Sequence, residues 1–296
     1  MINTNNEIII DGIITKGIGG FYYVDTADGC FECRARGNFR KAGITPLVGD
    51  KVTIVADAAL KTGAVDKIHD RKNVLLRPPV ANVTQMAVVL ATANPKPNLY
   101  MIDKLLASAE LSEINIIICV NKTDIDEGKE IYDVYQKAGF CVIPLSAKKN
   151  ENIEVLSEKL KNNITVFAGN SGVGKSSLLN CITGGENFET GEVSEKVERG
   201  KHTTRHSELV LLDNGGYIID TPGFGTLDFS LLQPENCAEL FREFEPYTDE
   251  CSFRDCSHTV EKGCSVIEAL MDGKISKSRH ESYIRILDEV KRSQKR

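Results

Sequence analysis

One stretch, Gly169-Asn170-Ser171-Gly172-Val173-Gly174-Lys175-Ser176, restricts the folds open to this chain more than any other. It fits the pattern G-x-x-x-x-G-K-[ST], and its flanks fit as well. Ile164 to Ala168 before it is β-rich and apolar, as a buried strand is, and Ser177 to Ile182 after it places apolar residues at helical spacing and stops at Gly184-Gly185. Strand, glycine loop and helix together are the context in which this pattern cradles phosphate. Glycines lack Cβ, so successive backbone N–H groups can curl around an anion at the positive end of a helix. Lys175 is then placed to reach the β- and γ-phosphates, and the Ser176 hydroxyl to hold Mg²⁺.

At 296 residues the chain is long enough for two or three domains, and 41% hydrophobic residues support cores of ordinary size. The net charge of −6 gives no global sign of a nucleic-acid binder, so any basic surface must be local. No apolar run reaches the eighteen or so residues of a membrane span, and Met1 to Glu7 has no basic start leading into an apolar segment. Nine cysteines, several of them single in apolar stretches, predict reduced thiols in a cytosolic protein.

Residues 1–75 read as an all-β unit. Glu7 to Thr15, Phe21 to Val24, Cys30 to Cys33 after an Asp28-Gly29 turn signal, Leu47 to Val55 and Thr62 to Ile68 are short strands punctuated by glycines. That spacing predicts a small barrel, an OB-fold, of a kind that often binds RNA. Arg34, Arg36, Arg40 and Lys41 cluster at a strand-to-loop junction and suit either solvent or an RNA backbone. Cys30 and Cys33 form a C-x-x-C pair, but in a strand residues three apart face opposite ways, so two unlinked thiols are expected.

Arg77-Pro78-Pro79 reads as a linker. Beyond it, apolar strands (Met86 to Ala91, Ile114 to Val120, Phe140 to Ile143) alternate with helices (Leu99 to Ala109, Ile131 to Ala138, Ile153 to Lys161), which predicts a mainly parallel α/β sheet covered on both faces. Ligands bind such sheets at the carboxyl ends of the strands. Two of those ends carry signatures. Asn121-Lys122-Thr123-Asp124 is an N-K-x-D pattern: the Asp124 carboxylate can accept from guanine N1–H and the exocyclic amine, a pair that adenine does not offer. Asn121 and the Lys122 stem can support base and loop. Ser146-Ala147-Lys148 can donate a backbone N–H to guanine O6.

After the glycine loop, Glu186 to His206 is polar and includes Gly200-Lys201-His202-Thr203-Thr204, as expected of a segment ordered by a γ-phosphate and Mg²⁺. Thr203 or Thr204, with Thr204 favoured, supplies a second hydroxyl to the metal. Tyr217 to Asp220 then ends in Asp220-Thr221-Pro222-Gly223, where Asp220 is the acidic Mg²⁺ residue and the Gly223 N–H senses the γ-phosphate. Phe224 stands where related hydrolases carry a water-orienting glutamine, so unassisted turnover is expected to be slow, about 10⁻⁴–10⁻² s⁻¹. His202 is the nearest group able to position water in its place. The N-K-x-D motif precedes the glycine loop, the reverse of the usual order. The same sheet results if the old termini are joined and new ones opened, a circular permutation.

Farther on, Cys251, Cys256, His258 and Cys264 supply three thiols and an imidazole within fourteen residues, a complete tetrahedral set for one structural zinc. Helices are predicted from Cys264 to Met271 and from Arg279 to Arg292. From Lys274 onward the chain has eight lysines and arginines against three acids, a local basic tail suited to RNA.

With these motifs in place, the chain resembles the circularly permuted small ribosomal subunit biogenesis GTPases called RsgA or YjeQ. The resemblance runs through the barrel, Asn121 to Asp124, Gly169 to Ser177, Gly200 to Thr204, Asp220 to Phe224 and the Cys251, Cys256, His258, Cys264 cluster. It implies a monomeric, cytoplasmic enzyme that binds GTP and GDP, contacts the 30S subunit and its 16S rRNA, acts late in maturation of that subunit and hydrolyses GTP faster on it. The expected division is a barrel at 1–75, a permuted GTPase domain at 76–230 and a zinc-binding, mostly helical domain at 231–296. Two rival readings are an RNA-binding module for which GTP is only an ordering ligand, and a P-loop ATPase or small-molecule kinase. Measurable GTP turnover counts against the first and Asp124 against the second.

Overall fold

The computed structural model describes residues 7–76, 79–185, 188, 208–220 and 232–294. In chain order these form β1 (Glu7–Ile18), β2 (Phe21–Thr26), β3 (Gly29–Ala35), α1 (Gly37–Lys41), β4 (Lys51–Asp57), β5 (Thr62–Ile68), β6 (Val74–Leu76), β7 (Pro79–Ala81) and β8 (Gln85–Ala91). They continue with α2 (Leu99–Leu111), β9 (Asn115–Asn121), α3 (Lys129–Lys137), β10 (Cys141–Pro144), α4 (Ile153–Leu160), β11 (Ile164–Ala168) and α5 (Lys175–Thr183). Then come β12 (Leu209–Leu211), β13 (Tyr217–Asp220), a 3₁₀ turn (Pro234–Leu240), α6 (Glu245–Thr248), α7 (Ser265–Met271) and α8 (Lys277–Ser293). Among the described residues no helix is long and apolar enough to cross a membrane.

The chain divides into two compact units. The first joins Met1–Thr84 to Leu160–Phe167 and Lys196–Phe224; the second joins Gln85–Lys159 to Ala168–Glu195 and Gly225–Arg296. In the first, five strands close a barrel in the order β1-β2-β3-β5-β4. All its pairs are antiparallel except β3 with β5, and β4 returns to β1. That is the OB-fold arrangement. Alternate residues fill it: Ile14, Val24, Phe31, Cys33, Val52, Ile54 and Val65 have no exposed surface. Cys33 points in and Cys30 out, as strand periodicity requires.

Two details differ from the sequence-based expectation. Arg36 to Lys41 is not a plain loop, since α1 turns there and buries Phe39. The linker expected at Arg77-Pro78-Pro79 is not one throughout. Pro79 opens β7, which pairs antiparallel with β6, while Arg77 and Pro78 lie outside the described residues.

The nucleotide-type sheet has six strands in the order β10-β9-β8-β11-β13-β12. β8, β9 and β10 run parallel, as do β11 and β13, and only the edge strand β12 is antiparallel to its neighbour. Every residue of β8 and β11 is buried, which is why these strands read as unbroken apolar runs. Strands that are late in the chain lie beside early ones, so the sheet carries the expected permuted connectivity.

In the second unit, α7, α8 and the 3₁₀ turn pack around Phe241, Phe244, Tyr283, Ile286 and Val290. Arg279 lies inside this packing, 1% exposed. Its guanidinium donates to Glu243 (2.6 and 3.0 Å) and to Asp103 of α2 (2.8 Å). The basic tail is therefore corrected at one position: Arg279 neutralises buried carboxylates and is not available to RNA. Arg285 of the same helix stacks on Tyr100, 3.5 Å from the ring centre.

Candidate functional site

Carboxyl ends of the parallel strands carry the motif residues. At the end of β11 the chain turns into the glycine loop and re-enters a helix at Lys175. Gly169 (φ +148°) has no room for a side chain, because a Cβ there would come within 2.1 Å of the Val89 carbonyl oxygen. Gly174 (φ +92°) would place a Cβ 2.4 Å from Asn121 Nδ2. Both glycines are thus required by conformation and by close approach. Lys175 Nζ donates to the carbonyls of Gly169 (2.7 Å) and Asn170 (3.0 Å), so the ammonium is held against the loop itself. Asn170, Ser171, Gly172, Ser176 and Ser177 are at least partly exposed around it, and Val173 is buried.

Asn121 ends β9 and is 2% exposed. Its Nδ2 donates to the Val173 carbonyl (2.9 Å), and its Oδ1 accepts from Ala147 N–H (3.1 Å). One buried amide therefore ties the glycine loop to the loop after β10. Lys122 adopts a left-handed backbone (φ +67°). Its carbonyl accepts from Thr92 Oγ1 (2.9 Å), and its ammonium donates to the carbonyls of Gly172 (2.8 Å) and Asn94. Left-handed conformations in residues with a Cβ concentrate at functional sites. Thr123 N–H donates to the Leu145 carbonyl (3.3 Å).

Asp124 accepts from the hydroxyl of Ser146 (2.7 Å). That hydrogen bond is the main reason its carboxyl titrates below the ordinary aspartate range, with Lys148 and Lys149 adding to the effect. Ser146 also accepts from Lys149 N–H (3.1 Å), and its own N–H goes to Glu151. Within Ser146-Ala147-Lys148 the N–H groups of Ser146 and Ala147 are thus both engaged within the protein. The Cys181 thiol of α5 donates to the Ala147 carbonyl (3.3 Å), a tie with no signal in the sequence. Asp220 closes β13 in register with Phe167. The Asp220 side chain, Gly223, His202, Thr203 and Thr204 lie outside the described residues.

The second cluster lies in the loops before α7. Donor atoms of Cys251, Cys256, His258 and Cys264 all fall within 4.8 Å of one another. His258 Nδ1 is 3.6 Å from Cys251 Sγ and 3.4 Å from Cys264 Sγ, and the two sulfurs are 3.9 Å apart. Three thiols and one imidazole at these separations are compatible with zinc, which takes four such ligands at about 2.0–2.3 Å. α8 braces the loops. His280 Nε2 donates to the His258 carbonyl (2.8 Å), and the Tyr283 hydroxyl to the Ser257 carbonyl (2.7 Å). Between the ligands, Glu261 accepts from the N–H groups of Ser257 and Thr259, each at 2.9 Å. Sequence reasoning found the four candidate zinc residues but neither brace.

Comparison with known proteins is consistent with this geometry along nearly the whole chain. The family model described as RsgA GTPase matches residues 68–230, and that of the RsgA N-terminal domain matches residues 11–64. A "Small ribosomal subunit biogenesis GTPase RsgA" from Clostridium perfringens (strain SM101 / Type A) is 45% identical over 95% of this chain and 98% of its own. One of the same name from Ruminiclostridium cellulolyticum is 47% identical over 95% and 93%. Among solved structures, YjeQ from Thermotoga maritima superposes with a TM-score of 0.81 at 33% identity, covering 96% of this chain and 99% of that one. YloQ, described as a circularly permuted GTPase, gives 0.80 at 31% identity over 98% of each chain.

Proposed function

This chain belongs to the RsgA GTPase family and is a GTP-hydrolysing enzyme, and from that premise we propose that it binds the 30S ribosomal subunit through 16S rRNA, assists its late maturation, and hydrolyses GTP fastest while bound there. The barrel at 1–75 and the zinc-binding part at 231–296 flank the GTPase domain at 76–230 and supply the contacts to RNA. The protein acts as a monomer in the cytoplasm.

The observation that carries the nucleotide reading is the Asn121 amide, which holds the glycine loop through Val173 and the base loop through Ala147 at once. Asp124, kept ionised by Ser146, accepts from guanine N1–H and the exocyclic amine, and Lys148 N–H donates to O6. Adenine presents the opposite polarity at that edge and is rejected. Gly169 to Ser177 wrap the phosphates with backbone N–H groups at the start of α5, and Lys175 leaves its two carbonyl partners for the β- and γ-oxygens. Ser176, Thr204 and Asp220 hold Mg²⁺, which when bound neutralises charge developing on the β- and γ-oxygens. Gly223 N–H senses the γ-phosphate, and His202 positions the attacking water in place of the glutamine that Phe224 replaces. Cys251, Cys256, His258 and Cys264 hold one structural zinc.

The test is GTP turnover alone and with purified 30S subunits, 50S subunits and bare RNA, for the unmutated chain and His202→Ala. Acceleration by 30S subunits alone supports the reading, and equal acceleration by 50S subunits or RNA would contradict it. For His202, stimulated turnover should collapse while GTP affinity and subunit binding hold. If stimulation survives, the water-positioning role is wrong.

A further inference from the structure

The barrel strand β1 is longer than the barrel needs. Its residues Glu7 to Ile13 pair with β4, and Ile14 still meets Gly49 and Asp50 in the turn before it. Within the barrel, residues Lys16 to Ile18 pair with β2 and not with β4, after a register shift between Ile14 and Lys16. This overhang leaves one backbone edge unmatched by the barrel. Against it, in the same compact unit, comes β12, the edge strand of the nucleotide sheet.

Three ties join the barrel to the hairpin of β12 and β13. Lys16 and Glu208 form an antiparallel backbone bridge. Their side chains pair at 2.8 Å. The hydroxyl of Tyr217, the first residue of β13, donates to Asp25 of β2 at 2.7 Å. Burial and this contact push the Tyr217 phenol well above its ordinary range, so it remains a donor throughout the physiological pH range. β12 and β13 are one hairpin, with Leu211 opposite Tyr217, and β13 runs on to Asp220. A free sheet edge is a liability that proteins cover. Here the cover is a strand of the domain proposed to meet RNA.

We propose that this overhang joint couples the barrel to the GTPase reaction: Lys16, Asp25, Glu208 and Tyr217 are positioning residues that transmit the barrel's engagement with the subunit to the hairpin ending at Asp220. The inference rests on the functional reading above. It makes these residues dispensable for unassisted turnover and necessary for stimulation. A surface ion pair alone contributes little, so the backbone bridge and the tyrosine contact carry most of the coupling, and reversing one charge is more damaging than deleting it.

The experiment uses the full chain as Lys16→Glu, Glu208→Lys, the double charge swap, and Tyr217→Phe. Each is measured for unassisted turnover, 30S binding, and kcat and KM for GTP at saturating 30S subunits. Both charge reversals and Tyr217→Phe are expected to lower the stimulated kcat, by about 5-fold or more for the reversals. Unassisted turnover, subunit affinity and KM should stay unchanged, and the swap should recover most of the loss. Undiminished stimulation in the variants, a loss explained by weaker subunit binding, or a swap as impaired as its parents would overturn the proposal. A stimulated unmutated chain with undiminished variants overturns the joint alone. An unmutated chain that 30S subunits do not accelerate overturns the functional reading and the joint together.

Discussion

The nucleotide pocket and the Cys₃His cluster are both short motifs folded into one compact unit, yet they are held together by different physics. The pocket is assembled by hydrogen bonds among strand ends: Asn121 to Val173 and Ala147, Lys122 to Gly172, Ser146 to Asp124. Each bond joins residues from different loops, and the ends of the parallel strands aim those loops at one another. The cluster's hydrogen bonds do not join strand ends: Glu261 gathers the N–H groups of Ser257 and Thr259 within one loop, and His280 and Tyr283 of α8 brace the His258 and Ser257 carbonyls. Its four donors converge within 4.8 Å, but thiols make weak hydrogen bonds; a backbone tie from Ser252 N–H to the Gly263 carbonyl at 3.0 Å closes the loop that carries them. A hydrogen-bonded pocket can exist before its ligand arrives. Four soft donors facing each other are a set that one zinc ion would hold together.

The largest expected effect breaks the second half of that comparison. Structural zinc contributes about 10–16 kcal/mol in isolated zinc-finger peptides. Cys256→Ser should therefore lose the metal and loosen the loops from Cys251 to Cys264, while Tyr283, Phe241 and Phe244 retain the packing beneath. Metal analysis should fall from about one zinc per chain to none, with faster amide exchange confined to that region. A metal-free unmutated protein with full activity would contradict this assignment.

Next in size is Asn121→Ala, which strikes the pocket's hydrogen-bond lattice. It leaves the buried Val173 carbonyl and the Ala147 N–H without their partner, at about 1–3 kcal/mol each. GTP affinity should drop on the order of a hundredfold with the zinc content unchanged. A loss of both together would mean that the two sites are not separate.

A smaller effect sharpens the base reading. Asp124→Asn loses one charge-assisted pair, about 1.5–3 kcal/mol, and should favour xanthosine over guanosine triphosphate in competition binding, because the amide matches the altered base edge. The smallest effect is one of pH. Ser146 holds the Asp124 carboxyl below its ordinary range, so the charged form that guanine needs persists as pH falls through that range. GTP affinity should stay level under mild acid and weaken only below the ordinary aspartate pKa of about 3.9; a decline already near neutrality would point to another titrating group.

What was legible in the sequence follows the same division. β11 was expected at Ile164 to Ala168 and forms there, and Gly184 ends α5 as expected. The apolar runs and glycines that mark these elements act locally. The barrel was legible for the same reason, its strands being short, alternating and bounded by turns. Asn121 was expected to support the base and its loop. That it also binds Val173 depends on two distant segments meeting, and no local pattern records this. Arg279 is the plainer case. Counted along the chain it belongs to a basic tail, but its partners Asp103 and Glu243 are remote in sequence. A buried arginine is recognisable only once its carboxylates are in place. Likewise Pro79 resembles a linker residue until β6 is there to pair with β7.

The central claim is that the pocket stands without the zinc cluster while the subunit-dependent activity does not. The measurement that tests it most directly is the GTP dissociation constant of Cys256→Ser beside that of the unmutated chain, with turnover on saturating 30S subunits recorded for both. The account predicts nearly equal dissociation constants and a lost or sharply reduced stimulation. GTP affinity that falls with the zinc would contradict it.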